Sequence, residues 1–278
     1  MLFIVNPISG HGRKKRIISQ LVDAGYKVVC TEYAGHAEKL AREASEQVVV
    51  AVGGDGTVNE VARGITGTGK TLGIIPCGSG DGLARHLGIS HYFNRALDTI
   101  LKGKVSHLDA GTINGRMFFS VCGVGFDAVV SERFAQSGHR GLATYKSEGL
   151  KTWSSYVPEK YSIVVDGERL DHEAMFITVG NSNQWGNGAK ITPLADSSDG
   201  ILDITVVDDF MAIEFPVLAG LLMTGSAHKS SRVHTYRGKS ICIERSCEGP
   251  AHADGDWFEA GKTIDINVIP HALRVLIP

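Results

Sequence analysis

The chain is predicted to fold as an N-terminal doubly wound α/β domain followed by an antiparallel β-sandwich. Strand and helix patterns alternate over the first hundred residues, which implies a parallel sheet covered on both faces. Beyond Ser106 short β-like runs take over, separated by turn dipeptides such as Asn114-Gly115 and Asp166-Gly167. The early strands also end in Gly-rich loops, at the edge where open α/β sheets bind ligands.

In chain order, Leu2–Val5 reads as a strand, and Arg13–Ala24 as a helix with Ile17, Ile18, Leu21 and Val22 on its apolar face. Lys27–Glu32 is a second strand, and Ala37–Ser45 a second helix. Val48–Val52 is a buried strand, Val58–Ile65 a helix and Leu72–Pro76 a fourth strand. Helical signals follow at Leu83–Leu87 and Tyr92–Lys102. The β domain is expected from Leu108–Ile113, Arg116–Val121, Lys160–Val165, Ala174–Gly180, Ile201–Val207, Lys239–Arg245 and Thr263–Val268. Helices are expected at Ala128–Phe134, Tyr145–Trp153 and Met211–Met223. The predicted division is residues 1–107 and 108–269, with the tail 270–278 returning to the first domain.

The bulk numbers narrow the function classes. The chain has 278 residues, 43% hydrophobic, with 34 glycines and a net charge of −2, so no broad cationic surface for nucleic acid is implied. The five cysteines are scattered without metal-site spacing, which suits reduced thiols in a cytosol. No apolar run approaches membrane-spanning length. A soluble cytoplasmic protein, working peripherally at the inner face of a membrane, is the expectation.

Gly53-Gly54-Asp55-Gly56-Thr57 follows a buried strand and opens a helix. Glycines bring backbone N–H groups close to a ligand, and a helix N-terminus suits phosphate. A carboxylate there repels phosphates unless it holds a metal or takes a proton, so Asp55 points to phosphoryl chemistry. Thr57 and Glu60 match a T-x-x-E capping box. Asn6-Pro7-Ile8-Ser9-Gly10-His11-Gly12, with Arg13-Lys14-Lys15-Arg16 behind it, reads as a second phosphate loop. Gly78-Ser79-Gly80-Asp81-Gly82 is a third, with Asp81 open between N-cap and ligand contact. Gly64-Ile65-Thr66-Gly67-Thr68-Gly69-Lys70-Thr71 matches the P-loop pattern letter for letter. It is set aside, because a helix precedes it and a strand follows, the reverse of what the mechanism needs.

These segments, with Gly123-Val124-Gly125-Phe126-Asp127-Ala128, Gly180-Asn181, Pro193-Leu194-Ala195, Asp199-Gly200-Ile201-Leu202-Asp203, Asp254-Gly255-Asp256 and Pro270-His271-Ala272-Leu273-Arg274-Val275, run in order through the chain. The ordered set resembles the diacylglycerol kinase catalytic domain family, which takes in bacterial lipid kinases, ceramide kinase and sphingosine kinases. Gly-Gly-Asp-Gly-Thr alone is shared with NAD kinases.

The resemblance implies an ATP-dependent, Mg²⁺-assisted kinase for a lipid hydroxyl at a membrane surface, with its active site in the cleft between the domains. A homodimer is left open. Asp55 is implied as general base or Mg²⁺ organiser. Gly53, Gly54, Gly56 and Thr57 are implied at the phosphates. Asn6, Pro7, Ser9, Gly10, Lys15, Glu60, Gly78, Ser79, Gly80 and Asp81 are implied around the nucleotide. Asp254 and Asp256 correspond to an Asp-Gly-Glu signature near metal and phosphates. Asp127 and Phe126 are implied at the substrate. A structural Mg²⁺ loop is implied at Asp196, Asp199 and Ile201. Phe126, Phe134, Tyr145, Trp153, Tyr156, Trp185, Phe215, Leu221 and Leu222 are candidates for an apolar slot, and Met211–Met223 for a rim meeting the bilayer.

Two departures from the family pattern stand out. The signature glutamate is Asp256, one methylene shorter, and the Gly-Ser-Gly start of the third loop is closer to the sphingosine kinase style. The competing readings are a kinase of a soluble substrate such as NAD, and a non-catalytic nucleotide-binding regulator.

Overall fold

A computed structural model of the chain describes residues 1–7, 13–137, 142–153 and 155–278. They form two compact units, Met1–Asp109 with Pro270–Pro278, and Ala110–Ile269.

The N-terminal unit alternates as expected. It comprises β1 (Leu2–Val5), α1 (Arg13–Asp23), β2 (Lys27–Cys30), α2 (His36–Glu43), β3 (Val48–Gly53), α3 (Asp55–Ile65), β4 (Thr71–Pro76), α4 (Gly82–His86) and α5 (Phe93–Lys102). The strands pair in parallel in the order β2-β1-β3-β4, and the chain's tail adds a further parallel strand at Arg274↔Thr71. β1 and β4 are buried along their whole length, as a sheet covered on both faces requires. Order reverses between β1 and β3, so loops leaving the carboxyl ends of neighbouring strands flank one switch point.

Two local expectations are corrected. α1 buries Ile17 and Leu21 but leaves Val22 about half exposed; the third buried position of its inner face is Lys14, at i−3 from Ile17. α3 starts at Asp55, three residues before the first apolar residue, because Gly54 is its extended N-cap.

The C-terminal unit is antiparallel throughout its named strand pairs. β5 (Lys104–Ile113) leads in from the first unit. It is followed by β6 (Arg116–Phe118), β7 (Val121–Gly125), α6 (Phe126–Gln136), α7 (Leu142–Trp153), β8 (Glu159–Val165), β9 (Glu168–Gly180), β10 (Leu202–Asp208), α8 (Phe215–Thr224), β11 (Val233–Gly238), β12 (Ser240–Arg245), β13 (Gly249–Ala253), β14 (Asp256–Ala260) and β15 (Thr263–Ile277). The sandwich core gathers Phe118, Val124, Ile163, Val179, Ile204 and Ile243 among others. A second apolar cluster, around Phe176, Ile191, Phe210 and Leu218, packs Trp153, Tyr156 and Trp185 against it. β11, β13 and β14 escape the sequence reading. They are short; β11 ends on Gly238, β13 opens on Gly249-Pro250, and β14 carries only two large apolar residues, Trp257 and Phe258. The run expected at Arg116–Val121 divides into β6 and β7.

Asn114-Gly115, Asp166-Gly167 and Asp254-Gly255 are tight hairpin turns with positive φ at both residues. The side chain of each also reaches another strand. Asn114 accepts from the Asp265 amide, Asp166 from Lys239 and Ser240, and Asp254 from Phe119, Ser120 and Val121. Arg245, nearly buried, plays the same role as a donor. Its guanidinium bonds the carbonyls of Gly249 (2.5 Å), Ala260 (2.7 Å), Pro250 (3.1 Å) and Gly261 (3.2 Å). Replacing Arg245 with Met strips four carbonyls of that donor. It is expected to lower stability by about 3 kcal/mol, read from the urea unfolding midpoint; a loss below about 1 kcal/mol would show the carbonyls find other partners.

Candidate active site

In the N-terminal unit the second and third Gly-rich loops are laced together by one carboxylate. Asp55, first residue of α3, accepts hydrogen bonds from the Asp81 amide (2.8 Å, Oδ2) and the Gly82 amide (2.6 Å, Oδ1). It therefore caps α4, a helix on the neighbouring strand's loop. The backbones touch as well: a Cβ on Gly78 would lie 2.6 Å from the Gly54 Cα, so only glycine fits. The start of α3 leaves the amides of Asp55, Gly56 and Thr57 without intrahelical acceptors, while the Val58 amide bonds the Gly54 carbonyl. Gly56 is exposed, Thr57 is buried, and Gly53 closes against Thr57, where a Cβ would come within 2.5 Å.

Asp81 is the second acid of this junction. It sits in the left-handed region at φ 50°, nearly buried, and Oδ1 accepts from the Gly78 amide at 2.9 Å. Oδ2 receives no hydrogen bond, although His91 Nδ1 lies 3.2 Å away. Its own α4 gets no side-chain cap from it; Asp55 does that instead. Burial, with the Asp55 carboxylate beside it, raises Asp81 from 3.8 to about 6, against the pull of the Gly78 amide, Arg85 and Lys14. A buried carboxylate oxygen that receives no hydrogen bond, next to a second carboxylate, offers oxygen donors of the kind Mg²⁺ takes.

The first loop contributes Asn6, whose amide bonds the Val52 carbonyl, and Pro7, which is exposed. Ser9 and Gly10 lie outside the described residues. Of the basic run, Lys15 points outward; Lys14 is buried and donates to the Asn6 carbonyl. Burial lowers the Lys14 ammonium below its ordinary value, while Cys77 and Asp81 pull it back up. Sequence reasoning missed Lys14, although its spacing of three and seven from Ile17 and Leu21 was there to read. Ser79 is exposed and Gly80 half-buried, with the Gly80 carbonyl held by Arg85 at 2.8 Å. A groove of about 310 Å³ opens nearby, lined by Ile17, Ile75, Cys77, Tyr92 and Phe93 among others.

One reading from the sequence changes here, and one dismissal gains a structural role. Glu60 does not complete a capping box with Thr57, because Thr57 lies inside α3. Its carboxylate caps α2, accepting from Gly35 (2.9 Å) and Ala37 (3.1 Å). Lys70 of the false P-loop caps the other end of α2, donating to the carbonyls of Ala41 and Arg42.

In the C-terminal unit Asp127 is buried at the start of α6. It accepts from Ala128 N (2.8 Å), Thr178 Oγ1 (3.0 Å) and His252 Nε2 (3.0 Å). The Gly255 amide lies 3.4 Å from His252 Nδ1, a geometry that assigns the ring proton to Nε2. A Cβ on Gly123 would collide with this pair at 2.6 Å from Asp127 Oδ2. His252, two residues before Asp254 on β13, is a partner the sequence reading did not name. Asp254 orients the 119–121 segment as described above, and Asp256 is exposed at the start of β14. Phe126 packs edge-on to Tyr156 at 5.6 Å and against Phe176. Trp185 stacks on Phe176 and Trp153 on Phe210. The side chains of Tyr145 and Phe215 lie outside the described ones.

The loop expected to hold structural Mg²⁺ is closed by protein groups. Asp196 accepts from the Ser198 amide and hydroxyl, and Asp199 from the Ile201 amide. Arg237 pairs with Asp199 and, at 3.4 Å, with Asp203. Its guanidinium offsets the Asp199 charge in this structure, and Asp199, Asp196 and Ile201 as magnesium ligands stay a proposal.

The chain matches the family profile described as "Diacylglycerol kinase catalytic domain" over residues 1–113. It matches "YegS C-terminal NAD kinase beta sandwich-like domain" over residues 120–277. It is 31% identical to a diacylglycerol kinase of Mycobacterium tuberculosis, covering 99% of this chain and 94% of that one. It is 27% identical to a diacylglycerol kinase of Bacillus subtilis over 99% and 95%. Among solved structures, a diacylglycerol kinase from Bacillus anthracis superposes with a TM-score of 0.76 at 22% identity, covering 100% and 96%. An NAD kinase from Archaeoglobus fulgidus in complex with ATP superposes at 0.58 and 12%, covering 99% and 92%. These last two show the fold.

The raised Asp81 has a testable consequence. Between pH about 4 and 6 the folded chain keeps a proton that the unfolded chain releases, so stability from this group falls as pH rises through that window and levels off above it. Asp81→Asn removes the effect. Its stability relative to the parent is expected to improve steadily from pH 4 to 6, measured by urea unfolding in metal-free buffer. Repeating both on a His91→Gln chain takes out that imidazole's own titration. A relative stability that stays flat across the window overturns the assignment.

Proposed function

The chain belongs to the diacylglycerol kinase catalytic domain family, and from that premise we propose that it is an ATP-dependent lipid kinase. It would transfer the γ-phosphoryl group to the hydroxyl of a diacylglycerol or a related lipid. The observation that carries this reading is the junction of two Gly-rich loops at adjacent parallel strand ends, joined through Asp55. Phosphoryl transfer rests on positioning and charge compensation more than on covalent chemistry by the protein. The open amides at the start of α3 suit phosphate oxygens. Lys14 adds a buried positive charge beside the same loops. ATP as donor is supported by the archaeal NAD kinase, of the same fold, solved with that nucleotide. The 310 Å³ groove, where Ile17, Ile75, Tyr92 and Phe93 alternate with Arg16, Gln20, His91 and Asn94, suits a flat base with polar edges.

Asp55 and Asp81 would hold Mg²⁺, which when bound offsets the charge of the phosphates. Asp55, oriented by two amides, would receive the proton of the acceptor hydroxyl late in transfer. Asp254, Asp256, Asp127 and Phe126 remain part of the proposal. Asp254 and Asp127 would act by holding the 119–121 segment and the start of α6, and Phe126 would line the substrate side.

A lipid acceptor is supported by the surface of the C-terminal unit. Met211, Ile213, Val217 and Met223 are exposed on and before α8, a helix without a charged residue, and Leu194 is exposed as well. Such an apolar face suits the interface of a bilayer. Among the described residues no helix is long and apolar enough to cross one. The relatives named above act, by their names, on diacylglycerol, which makes it the first acceptor to test.

The test is labelled ATP and Mg²⁺ with mixed micelles of diacylglycerol, monoacylglycerol, sphingosine or ceramide, and separately with NAD. Labelled phospholipid is the expected product, with diacylglycerol best. Labelled NADP without labelled lipid overturns the proposal. Asp55→Asn is expected to cut kcat by about 100-fold or more. Lys14→Met, close in volume, is expected to raise the KM for ATP about 10-fold with a smaller change in kcat. Thermal melts of both variants separate these effects from loss of fold.

A further inference from the structure

A second cluster of chemistry-bearing side chains lies elsewhere in the C-terminal unit, independent of the kinase reading. His172 on β9, Asp208 at the end of β10 and His234 on β11 offer ligand atoms that all lie within 4.8 Å of one another. Asp208 Oδ2 is 2.8 Å from His234 Nε2. The two imidazoles pack with ring centroids 5.0 Å apart, and His172 Nε2 is 2.8 Å from the Tyr236 hydroxyl.

A β-bulge brings the three together. Along the β9–β10 ladder Val206 faces Ile177 and Val207 faces Phe176, but Asp208 faces Ala174. β9 therefore carries one extra residue, Met175, at this point. In an unbroken ladder Asp208 would pair with Met175, and His172 would lie on the opposite face of the sheet. The slip of one residue moves His172 onto the face of Asp208. His234 already shares that face, because it pairs with Val206, as does Tyr236 through Ile204. Bulges that re-aim side chains in this way recur next to functional sites.

We propose that His172, Asp208 and His234 form a Zn²⁺ site that clamps strands β9, β10 and β11. Two imidazoles and one carboxylate, with a fourth position open to water, are a donor set that zinc takes and that the hard ion Mg²⁺ does not favour. Tetrahedral ligands at zinc distances are about 3.4 Å apart, so the widest pair closes by at most about 1.4 Å, within reach of side-chain rotation. The buried apolar residues Ile204 and Val206 back the cluster on the same face, which strengthens coordination. Solvent reaches it from the other side, since the side chains of His234 and Asp208 are 38% and 30% exposed. Burial and the neighbouring His234 hold His172 below the ordinary imidazole value, against Asp208 and Asp171, so the neutral ligand form is favoured. A metal bound through His234 Nε2 would replace that nitrogen's hydrogen bond to Asp208, the neutral ring carrying its proton on Nδ1.

The experiment titrates chelator-treated protein with Zn²⁺ and with Co²⁺. It follows stoichiometry by calorimetry, the Co²⁺ ligand-field spectrum and the thermal midpoint. One ion per chain, a tetrahedral Co²⁺ spectrum and a Zn²⁺-dependent rise in midpoint are expected, with no such rise from Mg²⁺. His234→Ala and His172→Ala are expected to weaken Zn²⁺ by at least about 100-fold, more than the loss of an outer-shell partner would. Should either fail to fold, Asp208→Asn keeps a hydrogen-bond acceptor for His234 and gives the same reading. Zn²⁺ binding that is absent at 100-fold excess, or equally tight in all three variants, overturns the proposal.

Discussion

The carboxylate of Asp55 is the constraint on which the N-terminal unit's binding edge depends. It starts α3 on one strand and caps α4 on the next, so two loops that could each move alone become one surface. A hydrogen bond from a backbone amide to a charged carboxylate is among the stronger ones available to a protein, and here there are two. Their cost is electrostatic. They draw Asp81 in beside Asp55, and Asp81 responds by holding its proton to higher pH. A buried carboxylate whose charge is disfavoured in this way suits a nearby cation, which is what the proposed function calls for.

The same device recurs through the molecule. Glu60 and Lys70 cap opposite ends of α2 from other elements. Asp166 and Asp254 leave their hairpin turns to bond amides of distant strands. Arg245 gathers four carbonyls around its guanidinium, and Arg237 bridges Asp199 to Asp203. Apart from the Arg237 ion pairs, each charged side chain satisfies backbone groups that the local element leaves open, which suits a chain rich in short strands and tight loops. Several acids that the family resemblance places in chemistry thus have structural partners as well, and a substitution at any of them touches both roles.

Much of the architecture was legible from residues. Alternation of apolar runs with amphipathic segments placed β1 to β4 and their helices to within a few residues, because burial on both faces demands nearly continuous apolar strands. Asn-Gly and Asp-Gly turns were equally plain, since few other residues adopt positive φ twice in succession. β11, β13 and β14 were not legible. Sequences such as Gly-Pro-Ala-His-Ala become strands only because β7 and β14 flank them.

The chain's residue order alone determined the fold class and the three Gly-rich loops, because these rest on local periodicity and on glycine's access to backbone conformations closed to other residues, and its ordered motifs carried the resemblance to a kinase family. Tertiary structure alone decided which polar groups meet. It turned Lys14 inward in place of Lys15, gave Glu60 to α2, matched Arg237 to the loop expected to bind magnesium, and joined Asp127 to His252 across 125 positions of chain. Through one extra residue in β9 it also set His172 beside Asp208 and His234. The physical reason is common to all of them. A hydrogen bond or an ion pair depends on distances of a few ångströms, and those are set by how elements far apart in sequence pack.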